Sequence, residues 1–296
     1  MYIGVLGYGK LGKALCRCLE KTGAPLAVFS DRESIEGGRE ENGIRFYPTT
    51  SLLRESTQAL FLAHGSFGAY REECIRLAER HSILSAYDIH QDLVAMKREI
   101  HPIAVKNKTV AILGIGWDPG VLSLARALCR AILPECTPKT EWGEGVSEGH
   151  SFVLRSILGV KDGIQYTVPT EGGHRRVCYV VSALADRARI CEEILGAREY
   201  FNPETTEVHF VGEEEFERLH KGREHHRGKV SAVTDDGSDA LSLEVRMCHN
   251  PVFTAKIMRA YLNALRRLKR EEHYGAYGPL DIPLSYLCDE EAEGVW

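Results

Sequence analysis

Gly7-Tyr8-Gly9-Lys10-Leu11-Gly12 decides the fold. The six residues spell G-x-G-x-x-G, and their context gives them meaning. They follow an apolar stretch, Tyr2–Leu6, that reads as a strand. They open residues 10–21, where Leu11, Ala14, Leu15, Cys18 and Leu19 recur at helical spacing. Strand, glycine turn and helix N-terminus together make a dinucleotide-binding fingerprint. Gly7 permits the tight turn, Gly9 lets the backbone approach a pyrophosphate, and Gly12 lets helix and strand pack closely. The phosphates then face the positive end of the helix.

Working outward, apolar runs at 25–29, 59–63, 83–86 and 110–113 read as strands. Amphipathic stretches at 70–80 and 93–105 read as helices. Strands alternating with helices predict βαβ units and a parallel sheet. This α/β, Rossmann-like dinucleotide-binding domain spans 1–117. After a helix at 121–132 the pattern changes, with strands expected at 164–168, 177–181 and 240–247. In the last of these Leu241, Leu243, Val245 and Met247 alternate with Ser242, Glu244 and Arg246. That is the pattern of an antiparallel sheet with one wet face. An α+β substrate and dimerisation domain with a mixed, largely antiparallel sheet is therefore expected at 118–249. Pro251 starts a long helix with Ile257, Met258, Tyr261, Leu262, Leu265 and Leu268 on one stripe. Its cationic end, Arg266-Arg267-Leu268-Lys269-Arg270, suits a helix C-terminus. Residues 250–296 are expected to return to the first domain.

Composition excludes several classes. The 296 residues are 44% apolar and 27% charged, ordinary for a globular chain of two domains. Lys and Arg total 37 against 42 Asp and Glu, a net charge of −5, so the basic footprint of a nucleic-acid binder is missing. No apolar run reaches the ~18 residues of a membrane helix. The N-terminus lacks a basic leader, and a cytoplasmic location is expected. The nine cysteines are scattered with no Cys-x2-Cys pair, so they are expected as reduced, buried thiols and no metal site is assigned.

Four places can carry chemistry. Asp31, at the end of the second strand, stands where an acid bonds the ribose hydroxyls of NAD. Its neighbours Ser30 and Arg32 suit the 2′-phosphate of NADP, so the segment gives a divided answer, and Asp31 is equally a solvated turn residue. Asp88 and Asp118 follow predicted strand ends, where open α/β sheets bind ligands. Together they can hold an ammonium group beside a nicotinamide. Asp118 before Pro119 is equally a helix N-cap with Pro at N1, and Asp88 equally a turn residue. Residues 142–150, Trp-Gly-Glu-Gly-Val-Ser-Glu-Gly-His, offer the backbone amides of a carboxylate-binding loop or a plain connection. Asn250-Pro251 is a possible site residue or another cap.

The segments GYGKLG, YDIHQDL, GWDPG, WGEGVSEGHS (142–151), QYTVP (165–169), HRRVCYVV (174–181) and HNPVFTA (249–255) stand in one order along nearly the whole chain. In that order and spacing the chain resembles the meso-diaminopimelate D-dehydrogenases. The resemblance implies a Rossmann-like domain, a substrate domain, a C-terminal return and a homodimer. It implies NADP-dependent, reversible oxidative deamination of the D-centre of meso-diaminopimelate. The products are ammonia and L-2-amino-6-oxopimelate, which cyclises to tetrahydrodipicolinate, in lysine and diaminopimelate biosynthesis. By position it makes Asp88 and Asp118 the acids at the reacting amine and Trp117 the wall beside them. Ser147 and Gly149 belong to the loop at the D-centre carboxylate, and Thr167, Arg176 and Asn250 to the grip on the L-centre. His64, Gly65 and Ser66, after Ala63, lie along the cofactor. Tyr8, Lys10 and Leu11 share the phosphate turn.

Departures from the family are local. Asp31 replaces an Arg of the usual Ser-Arg-Arg segment, which leaves NAD open beside NADP. Glu148 stands where an amide or apolar residue is usual, Phe152 where some members carry Asp, and the 169–174 loop is short. Many members have a His about a dozen residues before the Asn-Pro, near Asp239 here. His225-His226 is an alternative source of that imidazole or a solvated pair. Added acid in the distal pocket favours an amine over a carboxylate. Another D-amino acid as substrate, and a non-catalytic dinucleotide sensor, are the rival readings.

Overall fold

The computed structural model describes residues 2–31, 39–65, 69–171, 173–223 and 225–288. It divides into two compact units, Met1–Leu124 with Pro251–Trp296, and Ala125–Asn250. The first unit begins with β1 (Tyr2–Leu6), α1 (Lys10–Glu20), β2 (Leu26–Phe29), β3 (Arg39–Glu41), β4 (Ile44–Tyr47) and β5 (Thr57–Leu62). There follow α2 (Tyr70–Ala78), β6 (Ile83–Ser85), α3 (His90–Asn107), β7 (Val110–Leu113) and α4 (Val121–Ile132). The division falls inside α4 rather than at the expected 117/118. The reason is local: the Ile115 N–H donates to the Ser85 carbonyl at 3.1 Å and the Leu122 N–H to the Trp117 carbonyl at 2.9 Å, which ties the turn before α4 to the first unit.

The second unit holds β8 (Lys139–Trp142), β9 (Gly145–Val146), α5 (Glu148–Ser156), β10 (Val160–Thr170), β11 (Gly173–Ser182), α6 (Arg187–Gly196), β12 (Thr206–Phe210), α7 (Glu213–His220), β13 (Gly228–Val233) and β14 (Ala240–Val245). They build two sheets, ordered β12-β11-β10-β9 and β14-β13-β8. Only β11·β12 is parallel. The clean alternation expected over 240–247 is only partly met. Val245 is buried, but Leu243 is 39% exposed, because β14 is an edge strand with one neighbour.

From Pro251 the chain rejoins the first unit through α8 (Asn250–Arg270) and β15 (Gly275–Tyr277). The first sheet runs β15-β7-β6-β5-β1-β2-β4-β3, parallel throughout except at β3. Its inner strands are continuous apolar runs because both faces are covered. On one face Ile3, Val5 and Phe61 pack with Leu15 and Leu19 of α1 and Met258, Tyr261 and Leu265 of α8. On the other, Leu6, Phe29 and Leu60 pack with Cys74 and Leu77 of α2 and Met96 and Ile100 of α3. Four cysteines are buried as expected, whereas Cys18, Cys136, Cys191 and Cys288 are part-exposed and Cys248 is exposed; all nine thiols are free. Among the described residues no helix is long and apolar enough to cross a membrane.

Candidate active site

The glycine turn is built as its spacing demands. Gly7 has φ +95°, a conformation open to glycine, and its N–H donates to the Phe29 carbonyl at 2.9 Å. A Cβ on Gly12 would stand 2.2 Å from the Gly7 carbonyl oxygen, so α1 can pass the turn only there. Gly9 is the N-cap of α1, and a Cβ on it would meet nothing within 4 Å. The space above the helix N-terminus is therefore open, and the turn fits a pyrophosphate. Lys10 and Leu11 form the first turn of α1; Leu11 and Tyr8 rest against the core. The Tyr8 ring stands edge-on to Phe46 at 5.0 Å.

The strand ends around this turn carry the other cofactor candidates. The Ser30 N–H donates to the Tyr47 carbonyl at 2.9 Å. Both Asp31 oxygens face Thr49, accepting its N–H at 2.8 Å and its hydroxyl at 3.0 and 2.8 Å. Asp31 is thus more than a solvated turn residue: it staples the end of β2 to the chain after β4. A cavity of about 380 Å³ opens beside it, bounded by Glu73, Arg76 and Arg80. Its mixed charge matches the divided reading of this segment. The His64 Nε2 lies 3.0 Å from Glu73, and its Nδ1 faces the Gly65 carbonyl at 3.4 Å. That bond from His64 holds the Glu73 carboxyl below its ordinary value against the opposing effect of burial. Arg32 and Ser66 lie outside the described residues.

The two acids come from adjacent parallel strands. β6 and β7 pair in parallel, Ser85 beside Leu113. Asp88 lies in the loop from β6 into α3, and Asp118 in the turn from β7 into α4. Both loops leave the carboxyl ends of their strands, where such sheets bind ligands. The His90 Nε2 is 3.7 Å from Asp118 Oδ1, which joins the two loops. Asp118 has a side chain only 4% exposed, and Trp117 beside it is buried. Asp118 stands two residues before the N-cap position of α4. α4 begins at Val121, so the residue before it is Gly120, and the Gly120 N–H donates to Ser123 Oγ at 3.2 Å. Gly120 has φ +129°, and a Cβ there would stand 1.9 Å from the Gly116 carbonyl oxygen. Behind Asp88, the buried Tyr70 and Ser85 hydroxyls meet at 2.6 Å, and Ser85 Oγ accepts the Tyr87 N–H at 3.2 Å.

In the second unit the β10·β11 register sets Thr167 directly opposite Arg176. Opposed residues share a face, so strand pairing alone brings these two together. Gly145 of β9 lies opposite Thr167 on its other side. Ser147 and Gly149 follow at the start of α5. The Ser147 N–H donates to the Gln165 carbonyl at 2.9 Å, and its hydroxyl meets His150 Nδ1 at 2.8 Å. Arg176 donates from Nε to His150 Nε2 at 3.2 Å. Glu148 accepts from Arg155 at 2.8 Å and lies 3.9 Å from His225 Nε2. Its charge is thus answered within the chain, contrary to the expectation of an uncompensated acid in the distal pocket. Phe152 is 42% exposed on α5. Asn250 opens α8.

Asp239, near the place of the family's His, is held in a turn. It lies at the β13–β14 turn, its carbonyl and N–H taken up by Thr234. The imidazoles the fold supplies are others. His225 bridges to Val146 of β9, and the His226 N–H donates to the Val146 carbonyl at 3.1 Å. His226 is buried, edge-on to Trp142 at 5.6 Å. Burial pushes it down to about 4, with His225, His174 and Arg176 acting in the same direction and the Arg227 carbonyl opposing. His150 is pushed down to about 3 by burial and then by the Arg176 charge.

Known proteins are similar to this chain along nearly their whole length. Residues 116–174 and 170–248 match the family model for the diaminopimelic acid dehydrogenase C-terminal domain. The meso-diaminopimelate D-dehydrogenase of Acetivibrio thermocellus is 31% identical, over 98% of this chain and 95% of its own. That of Ureibacillus thermosphaericus is 30% identical, over 99% and 97%. This chain belongs to the meso-diaminopimelate D-dehydrogenase family.

Solved structures agree with that membership. The C. glutamicum DAP dehydrogenase in complex with DAP superposes with a TM-score of 0.87 at 29% identity, over 100% of this chain and 98% of its own. An engineered D-amino acid dehydrogenase bound to NADP+ superposes with a TM-score of 0.90 at 27% identity, over the same shares. The sequence offers Asp88, Asp118, Thr167 and Arg176 as candidates, and the fold sets Thr167 opposite Arg176. His150 ends the 142–150 stretch, but nothing local marks it, because its partner Arg176 lies on a distant strand. His226 has polar neighbours in sequence, and the hydrogen bond to Val146 that brings it inside is long-range.

Proposed function

We infer that the chain catalyses the NADP-dependent, reversible oxidative deamination of the D-centre of meso-diaminopimelate. Loss of hydride and a proton leaves an imine, which one water opens to L-2-amino-6-oxopimelate and ammonia, with NADPH as the other product. One observation carries the reading: two carboxylates, Asp88 and Asp118, leave the carboxyl ends of adjacent parallel strands in a chain related end to end to such dehydrogenases. When bound, NADP supplies the hydride-accepting nicotinamide. Gly7, Gly9 and Gly12 and the first turn of α1 would hold its pyrophosphate, Ser30, Asp31 and Arg32 its ribose end, and His64, Gly65 and Ser66 the strand-end side. Asp88 and Asp118 hold the ammonium group and accept its proton. Trp117, buried beside Asp118, forms the wall next to the pair. Ser147 and Gly149 hold the D-centre carboxylate. Arg176, always charged and able to grip a carboxylate with two N–H groups, holds the far end with Thr167 and Asn250. Glu148 and Phe152 shape the rim. The same reading makes the working form a cytoplasmic homodimer.

A second reading is the same chemistry on another D-amino acid or with NAD; Asp31 at the ribose end supports its cofactor part, while the Glu148 charge is met by Arg155. Initial rates on meso-, LL- and DD-diaminopimelate and on single-carboxylate D-amino acids, each with NADP and with NAD, separate the two. The first reading expects the highest kcat/KM with meso-diaminopimelate and NADP, and none with the LL isomer. A higher value with a single-carboxylate D-amino acid selects the second. No amine-dependent NADPH formation at all removes both and returns the chain to a sensor.

A further inference from the structure

His150 holds two substrate-facing groups with one ring. Its Nε2 lies 3.2 Å from Arg176 Nε, and its Nδ1 lies 2.8 Å from Ser147 Oγ. A guanidinium has donors only and keeps its proton. Nε2 is therefore the acceptor, and the single proton of the neutral imidazole sits on Nδ1. That proton is donated to Ser147 Oγ, which fills the hydroxyl as an acceptor and leaves its own hydrogen to be donated. Ser147 is the N-cap residue of α5, yet its side chain makes no capping bond. The hydroxyl is turned to His150 instead. The ring is fixed edge-on between Tyr200 at 5.6 Å and Phe201 at 5.5 Å. Burial, Arg176, His226 and His174 all oppose a second proton on the ring, while the Tyr200 carbonyl favours one; burial is the largest of these, and the ring stays neutral through the working pH range.

We propose that His150 is a positioning residue that couples the two carboxylate grips: it fixes the Arg176 guanidinium for the L-centre carboxylate and makes the Ser147 hydroxyl a donor to the D-centre carboxylate. This rests on the reaction inferred above. It explains why a residue that touches neither end in that reading is built into the loop. A ring flipped about its Cβ bond would lose both bonds together.

The two bonds can be cut separately. In His150→Gln the amide oxygen replaces Nε2 as acceptor for Arg176, and the bond to Ser147 is lost. In His150→Asn the amide N–H replaces Nδ1 as donor to Ser147, and the bond to Arg176 is lost. The Asn variant is expected to raise KM for meso-diaminopimelate by about tenfold with kcat within about twofold, since the far end alone is loosened. The Gln variant is expected to lower kcat by about tenfold, since the reacting end is misplaced. A purely structural His150 would lower kcat and raise KM by the same factors in both variants, and that result, or wild-type constants in both, overturns the proposal. Should the variants not fold, ¹⁵N-detected histidine spectra of the wild-type protein decide. The expected ring carries its proton on Nδ1 and does not titrate between pH 8 and about 5; a proton on Nε2, or titration near 6.5, overturns it. If the wild-type protein does not turn over meso-diaminopimelate, the reaction assignment fails, while the ring spectra still decide the arrangement of His150.

Discussion

Asp118 is where two physical accounts of one residue part. As a helix cap it would contribute about 1 kcal/mol to stability and nothing to rate. As the acid at the amine it contributes little to stability and about 10²–10⁴-fold to rate. The geometry favours the second, because α4 starts at Val121 and Asp118 has a buried side chain facing His90. Asp118→Asn preserves shape and removes the charge. Its kcat is expected to fall at least about 100-fold with the urea midpoint unchanged. A lost midpoint with a retained rate would return Asp118 to a structural role. Asp31 differs, because its carboxylate is engaged by Thr49 whatever cofactor binds. Sequence could place Asp31 at the ribose end but not reveal Thr49, which lies two strands further along the chain and one strand over in the sheet.

At the scale of elements, what was legible depended on the range of the contacts. The strand-turn-helix at 2–20 was legible because its glycines and its 3.6-residue period are local. The strands at 110–113 and 177–181 and the helix at 121–132 were legible for the same reason. β3, β4 and β15 were not: Arg39–Glu41 has no buried residue, and Gly275–Tyr277 is a strand only because β7 offers an edge. The pairing of Thr167 with Arg176 is a register fact that the family resemblance anticipated and local pattern did not. The glycine turn allows a sharp test. Gly9→Ser places a side chain in open space at φ −75°, with a better N-cap than glycine. Stability is expected to hold or rise slightly, while affinity for NADP falls by at least about tenfold as the pyrophosphate loses its approach. A matching loss of stability and affinity, or intact affinity, would show that the open space above Gly9 is not the phosphate site. Gly12→Ala, whose Cβ would meet backbone at 2.2 Å, is the contrasting control in which both quantities fall.

For the whole molecule, the histidines set the acid limit of stability. His150 and His226 are pushed down to about 3 and about 4 in the folded chain, against about 6.5 in the unfolded chain. His81, His174 and His220 are lowered too, each chiefly by burial. A histidine whose folded pKa is depressed takes up its proton first in the unfolded state. Between about pH 6.5 and 4 the unfolded chain therefore binds more protons, and stability falls as pH falls. It is fully present above about 6.5. Each such group contributes a slope of at most about 1.4 kcal/mol per pH unit within that window. Below about pH 4.5 the depressed Glu73 carboxyl adds to the loss, since its contribution is present only while it stays ionised. The prediction is a urea midpoint that is flat from pH 8 to 7, then drops steeply from 6 to 4.5. His226→Gln, which cannot titrate, should flatten the slope in that window while lowering the midpoint at pH 7.5. A slope that survives the substitution unchanged would mean that His226 is not the buried, neutral ring its packing against Trp142 and Val146 implies.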